Sequence, residues 1–245
     1  MPHQTLRITT FNIHKGIGSF NSQLVLHEQR ELIRRLRSDI VFLQEVRGDH
    51  IRHQSNHAIQ HEFLADNVWP EFAYGKNAIY PDGHHGNAIL SKFPITQTTN
   101  QDISAHPTEQ RGMLHCEVAV PGWDQPLHCL CVHLGLFSRW RKRQLLAVRH
   151  RIETLVPDDA PLIIAGDFND WRSKAGSILH DGHLKEVFEH TSGRSAKSFP
   201  AILPMFRLDR IYTRGFHIQQ TQVHHGKAGA KISDHAALSA ILTRT

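Results

Sequence analysis

Six stretches of the chain run out of apolar residues straight into side chains that hold cations or move protons. In order they are "TTFNIHKG", "FLQEV", "CLCVHLG", "AGDFND", "RLDRIY" and "ISDHAAL". They deliver Asn12, Glu45, His133, Asp167 with Asn169, Asp209, and Asp234 with His235. The pattern is sharpest in "LIIAGDFNDW", Leu162 to Trp171, which follows Pro161. Its apolar run reads as a buried strand, and two acids with an amide at the exit are costly to bury unless paired or holding a cation. If extended geometry continues, Asp167 and Asn169 point to one face. A lone strand-terminal Asp is ordinarily a turn former. Six such ends gathered at one edge would line a carboxylate-rich cleft.

Carboxylate and amide oxygens suit hard cations such as Mg2+ or Mn2+, with water and substrate completing the shell. An Asp–His pair orients and charges an imidazole. A metal polarises a phosphoryl oxygen and stabilises the leaving oxygen. Together these groups describe water-driven hydrolysis of a phosphoester.

The elements that must position them are read from hydrophobic periodicity. Strands are expected at Leu6 to Asn12, Asp39 to Glu45, Asn87 to Ser91, Met113 to Val120, Leu127 to Leu134 and Leu162 to Ala165. The last strands are expected near Leu208 to Tyr212, Ile218 to Val223 and Ala236 to Leu242. Helices are expected over Gln23 to Arg37, Ser138 to Leu155 and Lys174 to His180. The second should bury Leu145, Leu146, Val148, Ile152 and Leu155. Irregular segments collect between Asp49 and Gly86 and between Thr191 and Arg207. Many strands in hairpin-like succession, mixed with helices, suggest an α/β sandwich of two packed sheets covered by helices.

The bulk numbers agree with a soluble globular chain: 245 residues, 40% hydrophobic and 21% charged. No repeat or linker divides residues 1–245, which read as one domain. The N-terminus lacks the basic-then-apolar pattern of a signal peptide, and no apolar run approaches the ~20 residues that span a bilayer. Three cysteines do not suggest a disulfide framework, so the chain reads as reduced and cytoplasmic. A net charge of +5 is a mild bias toward anionic partners.

The ordered set "FNIH", "LQEV", "HLG", "GDFN", "LDRIY" and "SDH", running from Arg7 to Leu242, resembles the endonuclease/exonuclease/phosphatase superfamily. The resemblance implies a four-layer α-β-β-α sandwich of two packed mixed sheets, deoxyribonuclease I-like, with a divalent-metal phosphohydrolase site. It implies that Glu45 is the main metal carboxylate with Asn12 beside it, and that Asp234 lies at the metal or just behind it. Asp167 would orient or deprotonate the attacking water, supported by Asn169. His235 would face the scissile phosphate, held and charged by Asp209, and His133 would donate to a phosphate oxygen. Arg111 in "QRGML" resembles the arginine that steadies this cluster in some members, and "GNAILSKFPI" places Asn87 near the cleft. Two positions depart from the pattern. Val132-His133-Leu134 stands where exonuclease III-like enzymes carry Pro-Asn, which favours the deoxyribonuclease I-like and sphingomyelinase-like branches. Arg210 follows Asp209 where an aromatic is common.

Some features stay open on the sequence alone. "LFSRWRKRQ" gathers Arg139, Arg141, Lys142 and Arg143 at a helix start, either a solvated face or a contact for nucleic-acid backbone or anionic lipid. Arg139 is a candidate phosphate contact, and Phe137 with Trp140 either touch a base, dip into a membrane interface or join the core. Cys129, Cys131 and His133 share a strand face, but no second group has zinc-ligand spacing. His84-His85 and His224-His225 read as surface loop pairs, while His14 and Lys15 are equally placed to approach phosphate or stay exposed. The expected substrate is a nucleic acid, phospholipid or phosphorylated small molecule. The alternative to an enzyme is a binding module on the same scaffold that engages anionic partners through the basic helix.

Overall fold

Alternation along the first strand already sorts its residues between two environments. In β1 (Thr5–Asn12), Leu6 and Ile8 join a core shared with a second sheet, while Phe11 packs on the opposite side. A period of two then puts Asn12 on the Leu6, Ile8 and Thr10 face, at its very end. The same parity holds in β7 (Leu127–His133), where Cys129 and Cys131 lie in the shared core and His133 is next in line. In β8 (Leu162–Asp167), Ile163 and Ala165 face inward and Asp167 follows. Past the apolar core, each inward series ends on a reactive side chain.

The computed structural model describes residues 4–18, 24–50, 60–66, 68–81, 83–171, 174–179 and 184–245. The remaining strands among them are β2 (Ile40–His50), β3 (Glu71–Tyr80), β4 (Gly83–Ser91), β5 (Ile95–Asp102), β6 (Gly112–Val118), β9 (Lys185–Glu186), β10 (Asp209–Arg214), β11 (Phe216–His224) and β12 (Ala237–Arg244). They form two six-stranded sheets, ordered β11-β12-β1-β2-β4-β3 and β5-β6-β7-β8-β10-β9. Each is mixed: β1 runs parallel to β2, and β7 parallel to β8, within otherwise antiparallel ladders.

Three apolar clusters fill the spaces this arrangement creates. Between the sheets lie Ile8, Phe42 and Ile89 against Leu114, Cys116 and Ile163. Outside the first sheet, Leu26 and Ile33 of α1 (Leu26–Leu36) and Leu64 of α2 (Gln60–Ala65) cover Leu43 and Leu90. Outside the second, Leu145, Val148 and Ile152 of α3 (Ser138–Leu155) and Leu179 of α4 (Ala175–Leu179) cover Leu130, Val132 and Ile164. Two short helices, α5 (Val187–Ser192) and α6 (Lys227–Ile232), complete the set. Helix, sheet, sheet and helix make four layers.

Several sequence expectations need correction. The segment from Asp49 to Gly86 is not irregular throughout: it contains α2, β3 and the start of β4, with residues 51–59 outside the described set. Strands β5 and β9 and helices α5 and α6 were not anticipated. The expected ends Gln23 and His180 of two helices lie outside the described residues. In α3, Leu146 and Leu155 are exposed, at 47% and 51%, and Arg141 is buried instead of solvated. The buried stripe runs 141, 145, 148, 152, a helical i, i+4, i+7, i+11 series, and Arg141 is accommodated because Nη1 donates to the carbonyls of Gly135 and Leu136 at 3.0 and 2.7 Å. No helix among the described residues is long and apolar enough to cross a membrane.

Candidate active site

Register brings three of the expected residues into one row. His133 of β7 is paired with Asp167 of β8, and Asp167 with Asp209 of β10. Gly166 makes this possible. Its φ is +149°, and a Cβ there would lie 1.9 Å from the Val132 carbonyl oxygen, so any side chain would force β7 and β8 apart. Asp167 and Asp209 sit directly opposite, a like-charge pairing that destabilises a ladder unless a cation intervenes.

His235 is that cation. It follows Ser233, whose Oγ donates to the Asn12 carbonyl at 2.7 Å and accepts from the His235 amide at 3.2 Å, so the "SDH" turn is moored to the end of β1. The loop before β10 braces it from outside: Ala201 N donates to Asp234 O and Ala236 N to Ser198 O, and the Phe199 ring lies 5.0 Å from the imidazole. His235 Nδ1 donates to Asp209 Oδ2 at 2.8 Å, and Nε2 lies 3.7 Å from Asp167 Oδ2. Burial opposes the charged ring, but the carboxylates of Asp209, Asp167 and Asp234 outweigh it and raise the imidazole to about 10. His235 is therefore protonated at neutral pH. Asp167 is pushed up by burial and by Asp209, against the pull of His235 and His133. Oδ1 of Asp167 accepts from Asn169 N at 2.9 Å, and Asn169, held at φ 47°, donates through Nδ2 to Leu134 O at 2.9 Å. Oδ2 accepts from Asn12 Nδ2 at 3.1 Å and has His133 Nε2 at 3.6 Å. Burial and Arg111 lower His133 to about 4, so it is neutral at pH 7.

The first sheet contributes Glu45 through a β-bulge. Phe42 packs in the inter-sheet core, whereas Leu43 and Val46 both pack on the outer side. The β2–β4 register slips between Leu43 and Val46, and Glu45 has φ 56°. An extra residue of this kind re-aims a side chain that simple alternation would send outward. Asn12 Nδ2 reaches Glu45 Oε1 at 3.3 Å as well as Asp167, so one amide joins the two sheets' carboxylates. The Lys15 ammonium lies 3.1 Å from Glu45 Oε2. Burial pushes the carboxyl up, but His133 and Lys15 more than offset it and hold Glu45 well below the usual carboxylate range.

A half-buried, ionised carboxylate beside an amide fits a hard divalent cation. One ligand atom each from Asp167, Asp209 and His235 also falls within 4.8 Å of the others, a spacing a cation would accept. A protonated imidazole has no lone pair to give a metal, so with His235 charged the trio is a poorer cation site than Glu45 beside Asn12.

The other expected residues are placed as follows. Asp234 Oδ1 lies 3.9 Å from His14 Nδ1. Asn87 is fully buried and clamps the sheets together, Nδ2 donating to Gly112 O and Cys131 O at 3.0 and 3.1 Å. Arg111 Nε donates at 3.3 Å to Leu134 O, the acceptor Asn169 also uses, and Nη2 lies 3.5 Å from Glu109 Oε1. Arg139 is exposed, its guanidinium 5.7 Å from the Trp140 ring. From Arg111 a groove of about 410 Å3 runs outward between Ile79, Tyr80, Gln110, Phe137 and Trp140.

The sequence placed His85 on a surface loop and left Lys15 open between phosphate contact and exposure. His85 is not a surface loop residue: it lies on β4, buried, bonded to Tyr80 Oη at 3.0 Å and lowered to about 4 by burial. Its partner His84 bonds to Tyr74 Oη at 2.9 Å, and His224, on β11, to Ser239 Oγ at 2.7 Å. The tyrosine at 80, five residues before His85 across a tight hairpin, was the available signal.

Comparison with known proteins gives these likenesses. The model of the Endonuclease/Exonuclease/phosphatase family matches residues 9–235. The chain is 42% identical over 250 residues, 98% of each chain, to Uncharacterized protein YbhP of Escherichia coli strain K12. In structure it is similar to the endonuclease/exonuclease/phosphatase of Beutenbergia cavernae DSM 12333, with TM-score 0.80 and 20% identity over 99% of this chain and 72% of that one. It is also similar to D. rerio TDP2 complexed with single strand DNA product, with TM-score 0.73 and 22% identity over 98% and 99%. The expected deoxyribonuclease I-like sandwich is the fold observed.

Proposed function

The chain belongs to the endonuclease/exonuclease/phosphatase family, whose members are generally phosphoester hydrolases, and we propose that it is a divalent-metal-dependent phosphodiesterase. The observation that supports this reading best is convergence on one oxygen. Asp167 Oδ2 has Asn12 Nδ2 at 3.1 Å, His133 Nε2 at 3.6 Å and His235 Nε2 at 3.7 Å, so both imidazoles and the amide that also reaches Glu45 surround the oxygen of the base.

In this reading Asp167 orients a water and takes its proton. Its raised pKa makes it a stronger base than an ordinary carboxylate, and Asn169 fixes its direction. His235 presents a charged N–H to the scissile phosphate as negative charge builds on it, and Asp209 keeps that ring oriented and charged. His133 donates to a second phosphoryl oxygen. Glu45, with Asn12 and with Asp234 close by, would hold Mg2+ or Mn2+. When bound, the ion polarises a phosphoryl oxygen and stabilises the leaving oxygen. Arg111 steadies the loop that carries Leu134, Asn87 ties the sheets behind the site, and Arg139 lies beside the groove along which the rest of the substrate extends. Nucleic acid and phospholipid are the leading substrates, as the aromatic wall and cationic rim suit either. A cytoplasmic location goes with three buried, free cysteines.

The test is hydrolysis of bis-p-nitrophenyl phosphate, its mono-ester, plasmid DNA and anionic phospholipid vesicles, each with Mg2+, Mn2+ or EDTA. EDTA-sensitive turnover that disappears in Asp167→Asn is expected, and the best substrate identifies the class. Turnover that persists in EDTA or in the variant would overturn the reading.

A further inference from the structure

Lys15 has no part in the chemistry above, yet the chain is contorted to place it. His14 and Lys15 both have positive φ, 47° and 57°, and Gly16 follows at 76°. Two consecutive non-glycine residues in the left-handed region cost roughly 1–3 kcal/mol each and persist only where their surroundings over-determine them. Here they are clamped from both sides. The His14 amide donates to Asn12 Oδ1 at 3.0 Å. Gln60 Nε2 donates to Lys15 O at 2.9 Å, while Gln60 Oε1 accepts from Arg47 N at 2.8 Å, just beyond the bulge that turns Glu45. The same glutamine thus fixes the lysine's backbone and the strand carrying its carboxylate partner. A solvated ion pair needs no such support, because exposed pairs contribute little.

Glu45 is divided by this arrangement. Oε2 faces the Lys15 ammonium at 3.1 Å, and Oε1 faces Asn12 Nδ2 at 3.3 Å. An ammonium carries three N–H donors, and the carboxylate engages one. The Lys15 side chain is 36% exposed, so its remaining donors are accessible from solvent.

We propose that Lys15 is a permanent second cation of the site, donating to a non-bridging phosphoryl oxygen of the substrate while it neutralises one oxygen of Glu45. One divalent ion then suffices where two-metal phosphohydrolases use a pair of ions about 3.5–4 Å apart. This inference rests on the phosphoesterase reading and adds a phosphate-binding residue and a metal stoichiometry to it.

Calorimetric titration of the full chain with Mn2+, then of the Mn2+-loaded protein with inorganic phosphate, tests it together with turnover of bis-p-nitrophenyl phosphate. Wild type should bind one Mn2+ per chain. Lys15→Met should bind phosphate about tenfold or more weakly and lose kcat/KM by at least as much, the loss of a charge-assisted contact. It should also gain a second, weaker Mn2+ event that restores part of the turnover. Lys15→Arg should recover most of both. Circular dichroism melting confirms that each variant folds. Wild-type phosphate affinity and turnover in Lys15→Met would reduce Lys15 to a counter-ion for Glu45, and two Mn2+ ions in wild type would equally overturn the proposal. If wild type neither binds Mn2+ nor turns over the ester, the phosphoesterase reading itself fails and takes this inference with it.

Discussion

Asp209→Asn keeps the shape of the residue behind His235 and removes its charge. Raising the imidazole from 6.5 to about 10 corresponds to roughly 5 kcal/mol of preference for the charged ring, at 1.36 kcal/mol per tenfold in proton affinity. Three carboxylates share that effect against burial. Asp209 is at 2.8 Å and Asp167 at 3.7 Å, and Coulomb attraction falls with distance, so Asp209 supplies the largest share, about 2–3 kcal/mol. Its loss should bring His235 down by about two pH units, to near 8. At pH 6 the variant's imidazole is still charged and kcat/KM should fall only a few-fold; by pH 9 most of the rings are neutral and the deficit should exceed about tenfold. Stability follows the same linkage. A folded-state pKa above the unfolded one gives stability that is complete below about pH 6.5 and is lost as pH rises toward about 10. The variant should therefore be destabilised by about 2 kcal/mol at pH 6 and by progressively less above pH 8. The assays are kcat/KM from pH 6 to 9 and urea unfolding at both ends of that range. A variant-to-wild-type ratio of kcat/KM that stays flat from pH 6 to 9, or a stability cost that grows with pH, would refute the reasoning.

The remaining predictions concern the base and the fold. Asp167→Asn should lower turnover by about 10²–10⁴-fold in a protein that still unfolds cooperatively; a folded variant at near wild-type rate would remove Asp167 from the reaction. Gly166→Ala should destabilise by about 3 kcal/mol or more, since its Cβ would meet the Val132 carbonyl oxygen, and a melting temperature within a degree or so of wild type would show that β7 and β8 tolerate the insertion. Leu145→Ala should cost about 2–5 kcal/mol whereas Leu146→Ala should stay within about 0.5 kcal/mol; equal effects in urea titrations would mean the buried face of α3 is misassigned.

The site was legible in the sequence to the extent that inward parity continues past the core. Asn12, His133 and Asp167 each extend an alternating series whose earlier members are plainly apolar, so their common face follows from spacing. Glu45 does not follow from spacing. Leu43 faces outward, and two residues on Glu45 should too; only the bulge, invisible in residue types, brings it into the cleft. Lys15 depends in the same way on a positive-φ turn held by Gln60 from a distant helix. The missed strands are edge or near-edge strands with little to alternate. β5 reads ITQTTNQD and is nearly all exposed, and β3 mixes Glu71, Lys76 and Asn77 with small residues. Arg141 read as a surface charge because the free carbonyls that receive it, at Gly135 and Leu136, exist only once the strand-to-helix turn has formed.

The central claim is that the carboxylate re-aimed by the bulge holds the ion on which hydrolysis depends. Mn2+ titration by calorimetry and turnover of bis-p-nitrophenyl phosphate, on the same preparations of wild type and Glu45→Gln, tests it most directly. The account predicts that the variant binds Mn2+ roughly tenfold or more weakly and that its turnover half-saturates at a correspondingly higher Mn2+ concentration. An unchanged titration, or turnover whose metal dependence does not move with the binding, would contradict it.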